Sequence, residues 1–192
     1  CIIGSEDAMG FEEATEERPP TVVAVDTADY LEVDGQEPLG CVAADWSERL
    51  LRMRYKSEVG VLCEAPAHYS QKNEFGLNAW GPDARGKVVV AVRGEVEFET
   101  MARRAEDAGA VGLVIVDNED EWEDDFEMTL EERHRPPPAV PAVLVPKTAR
   151  SRLREGIKVR VVRRIERNLA SNEEKLLQFL RLRGVEVGLQ LQ

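Results

Sequence analysis

A strand–helix–strand pattern between residues 86 and 118 restricts the fold of this chain more than any other feature. Residues 88–92 are a continuous run of Val and Ala, typical of a β-strand that is buried on both faces. Apolar residues then recur at helical spacing over 98–108, and Gly109 follows where a left-handed residue would end a helix. A second apolar run covers 111–116. Short connections of this kind predict two parallel strands joined by a right-handed crossover.

The sequence beyond this unit predicts one more strand, a short helix and a half-exposed strand. An acidic loop over 119–132 ends at a run of prolines, and residues 140–145 form the next apolar strand. Thr148 is a candidate N-cap for a short helix that Gly156 would close. Apolar and charged residues alternate over 157–161, which indicates a strand with one face in solvent.

The order of these motifs resembles the protease-associated (PA) domain, and the match covers residues 58–162. The residues that carry it are Gly86-Lys87-Val88-Val89, Arg93-Gly94, Phe98, Ala105, Gly109-Ala110, Asp117-Asn118, Met128, Pro141-Ala142-Val143-Leu144-Val145 and Gly156. Each motif is short, and their order and spacing make the resemblance specific. The resemblance implies an α/β, β-rich fold, namely a swivelling β/β/α domain with a βαβ core.

The cysteines depart from the family pattern. The PA family often has Cys two residues after its Arg-Gly, where this chain has Val96. If Cys63 corresponds to the usual partner, the family disulfide cannot form here. Three cysteines without a CxxC pair are too few for a disulfide scaffold.

Internal similarity predicts that the chain is a fragment of a longer protein with tandem PA-like copies. Four segments recur in the same order: 2–7 resembles 115–120, 16–20 resembles 131–137, 27–35 resembles 148–156, and 48–53 resembles 174–179. Residues 1–40 are then the end of a preceding copy, and 41–167 are a complete PA-like domain. Residues 168–192 are the start of a following copy or a C-terminal helix–strand extension. The alternative is chance similarity in a chain rich in Glu, Arg, Val and Leu.

Charge and hydropathy exclude several classes of partner. The net charge is −12, which disfavours general binding to nucleic acid or to an anionic membrane. No apolar run approaches the roughly 20 residues needed to span a bilayer.

Motifs for catalysis or cofactor binding are missing from the sequence. It contains no nucleophile elbow, HExxH, Walker loop or GxGxxG, so we predict no catalytic, cofactor-binding or metal site. Cys63 with His68 would need a third metal ligand from elsewhere, and we expect an exposed loop histidine instead. The acidic stretch over 117–127 lacks the Gly and the DxDxDG pattern of a calcium loop, which favours a solvated loop.

Large side chains within the acidic loop are the candidate partner-binding residues: Trp122, Phe126 and the nearby His134. Apolar groups in a charged loop either pack back onto the domain or anchor a partner. Residues 147–167 carry the opposite charge, with nine basic and two acidic side chains. This basic segment would bind an acidic partner, stack against a neighbouring module or form a solvated face.

The leading functional hypothesis is a noncatalytic protein- or peptide-binding module within a larger protein. One alternative is a substrate-gating accessory domain of a peptidase, and another is a structural spacer in a tandem-repeat scaffold. If the full chain is an enzyme, a peptidase is expected. The partners implied are a protein or peptide ligand and neighbouring PA-like modules in the same chain, without cofactors. The family resemblance implies the endomembrane lumen, a vacuole or the extracellular space.

Overall fold

The fold is described from a computed structural model, which covers residues 27–55, 60–123, 125–130 and 135–165. The predictions made for residues 1–26, for His134 and for 168–192 lie outside these residues.

Seven strands and two α-helices make up the described part of the chain. In chain order they are β1 (Thr27–Val33), β2 (Leu39–Ala43), α1 (Asp45–Tyr55), β3 (Gly60–Tyr69), β4 (Val88–Val92), α2 (Phe98–Asp107), β5 (Gly112–Val116), β6 (Ala142–Val145) and β7 (Lys158–Ile165). Single 3₁₀ turns lie at Gln71–Asn73, Pro82–Ala84 and Lys147–Ser151.

The strands form a closed barrel in the order β1-β2-β6-β5-β4-β3-β7. Strands β3, β4, β5 and β6 pair in parallel, whereas β1 pairs antiparallel with β2 and β7, and β7 pairs antiparallel with β3. We call β4, β5 and β6 the parallel half, and β1, β7 and β3 the antiparallel half. The barrel is an outcome that the sequence analysis did not predict.

Both faces of the parallel half are buried, as the apolar runs predict. Val90 and Val114 face the barrel interior, whereas Leu113 and Ile115 pack outward against Met101 of α2 and its neighbours. Strands β4 and β5 pair in register from Val88↔Gly112 to Val92↔Val116, with α2 between them in the chain. The predicted end of the helix is also present, because Gly109 has a φ of 77°.

The antiparallel half is apolar on its inner face only. Leu31, Val159 and Val161 are buried inside the barrel, whereas Glu32 and Arg160 alternate with them and face outward. Ion pairs connect the outward side chains of neighbouring strands: Arg160 with Glu32 and Glu64, Lys158 with Glu64, and Arg164 with Glu32. The outer face of the antiparallel half is therefore in contact with solvent, and its charged side chains are paired with one another.

One end of the barrel interior is closed by a buried ion pair. The Arg163 guanidinium donates two hydrogen bonds to the Asp29 carboxylate, with N···O distances of 2.7 and 2.6 Å, and a third to Glu48 of α1 at 2.5 Å. Hydrogen bonding to Asp29 raises the pKa of Arg163 well above its usual range, despite partial burial. Bidentate pairing of this kind offsets the cost of removing both charges from water.

One prediction near the repeated segments is wrong. The 3₁₀ turn at Lys147–Ser151 begins after Pro146, so Thr148 lies inside it, and its side chain is not the N-cap. Residues 27–33 form a strand, whereas the matched segment at 148–156 contains this 3₁₀ turn. Strand β1 pairs with β7 in the same barrel, although residues 1–40 were assigned to a preceding copy. The tandem repeat itself stays a prediction.

Candidate functional site

The carboxyl ends of the parallel strands meet at one edge of the barrel. The Arg93 N–H, after β4, donates to the carbonyl of Val116 at 2.8 Å, and the Asp117 N–H, after β5, donates to the carbonyl of Val145 at 2.9 Å. In parallel sheets this edge is where ligands usually bind. We define the carboxyl-end surface by its side chains: Tyr69, Glu74, Arg93, Asp117, Asp120, Phe126, Lys147 and Arg150.

A buried carboxylate organises the centre of the carboxyl-end surface. Asp117 is 4% exposed, and its Oδ1 accepts a hydrogen bond from Nη1 of Arg93 at 3.1 Å. The same oxygen accepts the backbone N–H groups of Asn118 at 2.8 Å and Glu119 at 3.3 Å. These donors hold the start of the acidic loop against the ends of β4 and β5.

Arg93 also contacts two aromatic rings. Its guanidinium carbon lies 4.7 Å from the ring centroid of Phe126 and 6.0 Å from that of Phe98. The two rings meet edge to face, with centroids 5.8 Å apart. Phe126 is therefore half-buried against its own domain, and a cation–π contact adds to its packing.

A second set of charges lies where the loop after β3 crosses the carboxyl-end surface. The Glu74 carboxylate accepts hydrogen bonds from Arg150 at 2.7 Å and from the Tyr69 hydroxyl at 3.2 Å. Hydrogen bonding to Tyr69, together with the charge of Glu74, raises the pKa of Arg150. Lys147 pairs with Asp120 at 2.8 Å, which connects the end of β6 to the acidic loop.

Trp122 lies away from this group. It is half-buried and lines a groove of about 410 Å³ with residues of β1, β2 and β7, among them Tyr30, Cys41 and Arg163. Phe126 of the acidic loop therefore lies at the carboxyl-end surface, whereas Trp122 of the same loop lies in the groove beside β1, β2 and β7. The structure does not bring the predicted partner residues together in one site, and His134 lies outside the described residues.

The expectation of an exposed loop histidine at residue 68 is wrong. His68 belongs to β3, is 5% exposed, and faces the carboxylates of Glu155 at 3.4 Å and Asp83 at 3.7 Å. Burial tends to raise the pKa of Glu155, but hydrogen bonds from Lys87 and from the Tyr69 N–H outweigh it and lower the pKa. His68 thus lies within β3 rather than in the loop that follows the strand.

The two cysteines in the described ranges are free thiols inside the fold. Cys41 and Cys63 are buried and unpaired, and desolvation raises the pKa of Cys63 to about 12. Cys63 Sγ lies against Gly112 of β5, and not beside His68 in a shared site. Among the described residues, no group of three or more His, Cys, Asp or Glu side chains is arranged to hold a metal ion.

The basic segment is largely neutralised by its own domain. Its side chains pair with acidic residues of β1, β3, α1 and the loops: Lys147 with Asp120, Arg150 with Glu74, Lys158 with Glu64, Arg160 with Glu32 and Glu64, Arg163 with Asp29 and Glu48, and Arg164 with Glu32. Pairing within the domain favours the interpretation of a structural face over that of an acidic partner's binding site.

Sequence reasoning missed part of the carboxyl-end surface. Arg93 and Asp117 were in the motifs because each directly follows a predicted strand. Glu74 and Arg150 join them only through folding, since they lie 76 residues apart in the chain. The paired charges fix side-chain positions around Arg93, which is stacked on Phe126.

The residues of the carboxyl-end surface lie within a known domain family. The sequence matches the PA domain family over residues 27–153. The chain belongs to the PA domain family. The matched range includes β1 to β6, and therefore the whole parallel half and every residue of the carboxyl-end surface, whereas β7 lies beyond it.

Solved structures with a similar fold include aminopeptidases. A zinc aminopeptidase from Bacillus subtilis aligns with a TM-score of 0.50 and 18% identity, over 76% of this chain and 32% of that protein. An aminopeptidase from Aneurinibacillus sp. strain AM-1 aligns with a TM-score of 0.43 and 18% identity, over 73% of this chain and 32% of that protein. The PA chain thus spans about a third of their length. None of the curated proteins shows significant sequence similarity. Within the described ranges, no helix has the length and apolar character needed to cross a membrane.

Proposed function

We propose that this PA chain is a noncatalytic module that binds a peptide or protein segment at its carboxyl-end surface. The observation that carries the proposal is the PA family match, which covers the whole of that surface. Arg93 is held by Asp117 and stacked on Phe126, so its donors are positioned before a ligand arrives. Preorganised polar groups of this kind lose little entropy on binding.

The second candidate is an accessory, substrate-gating domain of a peptidase. The fold similarity to the Bacillus subtilis zinc aminopeptidase favours it, because the chain corresponds to only 32% of that protein. As part of this proposal the architecture is the swivelling β/β/α type, with β4, α2 and β5 as its βαβ core. Trp122 and His134 stay proposed contacts to the partner or to a neighbouring domain.

Unbiased peptide display on the intact 192-residue chain tests the binding proposal. We expect enriched peptides whose affinity falls about tenfold in Arg150→Ala, since the loss of one well-placed contact costs about 1.4 kcal/mol. Arg49→Ala is the matched control, because Arg49 is exposed on α1. Enrichment of no peptide above the immobilisation background would overturn the proposal.

Sequencing the coding region on both sides of this chain tests the peptidase alternative. A peptidase domain in the same reading frame would support an accessory role. Further PA-like copies without a peptidase domain would contradict it and favour a binding or scaffolding protein.

A further inference from the structure

Two large apolar side chains, two positions apart in the chain, are exposed on the loop that crosses the carboxyl-end surface. Phe75 is 39% exposed and Leu77 is 54% exposed, whereas Gly76 between them is buried. A contiguous exposed apolar patch with polar groups around it is one feature that marks contact surfaces.

Hydrogen bonds hold this loop in place just before the apolar pair and between its two members. The carbonyl of Glu74 accepts the Val92 N–H at 2.6 Å, and the Glu74 side chain is held by Arg150 and Tyr69. The carbonyl of Gly76 accepts a hydrogen bond from the Arg104 guanidinium, and its N–H donates to the Asn73 carbonyl at 3.0 Å. Phe75 and Leu77 are therefore exposed on a loop whose backbone is held in place by hydrogen bonds.

Gly76 explains why both neighbours point away from the core. Its φ of 62° lies in the left-handed region, and a Cβ there would lie 3.1 Å from side-chain atoms of both Trp80 and Met101. The backbone at Gly76 thus packs directly on the core. The two flanking side chains are left for solvent or for a partner.

Two carboxylates next to the apolar pair make no ion pair among the described residues. Phe75 lies over Gly94, where a Cβ would be 3.1 Å from the ring, and Glu95 and Glu97 follow Gly94. Both carboxylates are on exposed residues, and neither makes an ion pair within the part of the chain that the structure describes. By contrast, Glu32 and Glu64 on the antiparallel half are each paired with basic side chains. The Arg104 guanidinium binds the Gly76 carbonyl and makes no ion pair with Glu95 or Glu97, so these two unpaired carboxylates favour a cationic partner.

We propose that Phe75 and Leu77 anchor an extended peptide segment in which an aliphatic or aromatic side chain is adjacent to Lys or Arg. The apolar side chain packs on Phe75 and Leu77, and the cation faces Glu95 and Glu97. This inference rests on the proposed peptide-binding function and specifies its ligand chemistry. In this inference the affinity comes from the loop after β3, and not from Arg93 stacked on Phe126.

Three fluorescent dodecapeptides of defined composition test the inference against the intact chain. The first contains Lys, Leu, Gly and Ser, the second has Glu in place of Lys, and the third has Ser in place of Leu. We expect the first to bind at least about tenfold more tightly than either of the others, because only it meets both requirements. Fluorescence anisotropy at two salt concentrations gives the affinities and the electrostatic contribution.

Leu77→Ser is the informative variant, because the side chain is more than half exposed and its loss should leave the fold intact. It should weaken binding of the first peptide about tenfold. Met53→Ser is the matched control, since Met53 is 80% exposed on α1, and should bind as the parent chain does. Glu95→Gln with Glu97→Gln should reduce the salt dependence.

Equal affinity for the Lys and Glu peptides, or unchanged binding in Leu77→Ser, would overturn the inference. If display-selected peptides bind but do so independently of Leu77, the proposed function stands and this inference fails. If neither display-selected nor designed peptides bind, both fail.

Discussion

The two halves of the barrel bury the same kind of inner face but differ in their outer face. The outer face of the parallel half, represented by Leu113 and Ile115, packs under α2 and the acidic loop. The outer face of the antiparallel half, represented by Glu32 and Arg160, is in contact with solvent through ion pairs. A strand that is covered on both sides can hold functional groups at its end rigidly, which is why the carboxyl-end surface lies on the parallel half.

The largest expected effect comes from comparing one outward position on each half. Ile115→Ala removes a side chain that is 0% exposed and should lower the free energy of unfolding by about 3 kcal/mol. Arg160→Ala removes an ion-paired side chain that is 44% exposed and should cost less than about 1 kcal/mol. Chemical denaturation measures both. Similar losses at the two positions would contradict the difference between the halves.

A close contact between β3 and β5 inside the barrel connects the two halves. Disturbing this contact should have an intermediate effect on the free energy of unfolding. A Cβ at Gly112 would lie 2.4 Å from Cys63 Sγ of β3, so Gly112→Ala should lower the free energy of unfolding by about 2 kcal/mol. Adding Cys63→Ala should restore part of this loss. Gly40→Ala on β2 is the control, because nothing lies within 4 Å of its Cβ position. A double variant no more stable than Gly112→Ala would show that this contact is not the cause.

The smallest expected effect is a pH-dependent change in stability that arises on the ion-paired outer face of the antiparallel half. Hydrogen bonding to Lys158, with the charges of Lys158 and Arg160, lowers the pKa of Glu64 below its ordinary value of 4.5. A lowered folded-state pKa gives stability that is present above the ordinary value and is lost as the pH falls through the folded value. Glu64→Gln should therefore melt slightly lower than the parent chain at pH 7, and the difference should disappear well below pH 4.5. A difference that grows as the pH falls would contradict this sign.

Sequence patterns predicted the parallel half well and the candidate site only in part. The apolar runs at 88–92 and 112–116 and the helix at 98–107 follow from local periodicity, so they could be located without a structure. Phe126 reaches the carboxyl-end surface as one of the predicted partner residues, but it does so by packing on Arg93 and Phe98. Whether Phe126 also contacts a partner stays a proposal.

Residues of the loop after β3 carried no sequence signal. Phe75 and Leu77 have no periodic neighbours, and their exposure depends on the backbone of Gly76 packing against Trp80 and Met101. Burial of His68 was missed for a similar reason. It depends on Asp83 and Glu155, which approach β3 from distant parts of the chain.

By itself, the sequence determined which segments are strands and helices on the parallel half and which family the chain resembles, because those properties reside in local spacing. Only the tertiary structure decided that β1 closes the barrel with β7 and that the basic segment is neutralised by Asp29, Glu32 and Glu64. Strand closure and ion pairing join residues that lie far apart in the chain, for example Asp29 and Arg163, which are 134 positions apart. Local periodicity carries no information about such pairs, since their energy arises only when the barrel brings the strands together.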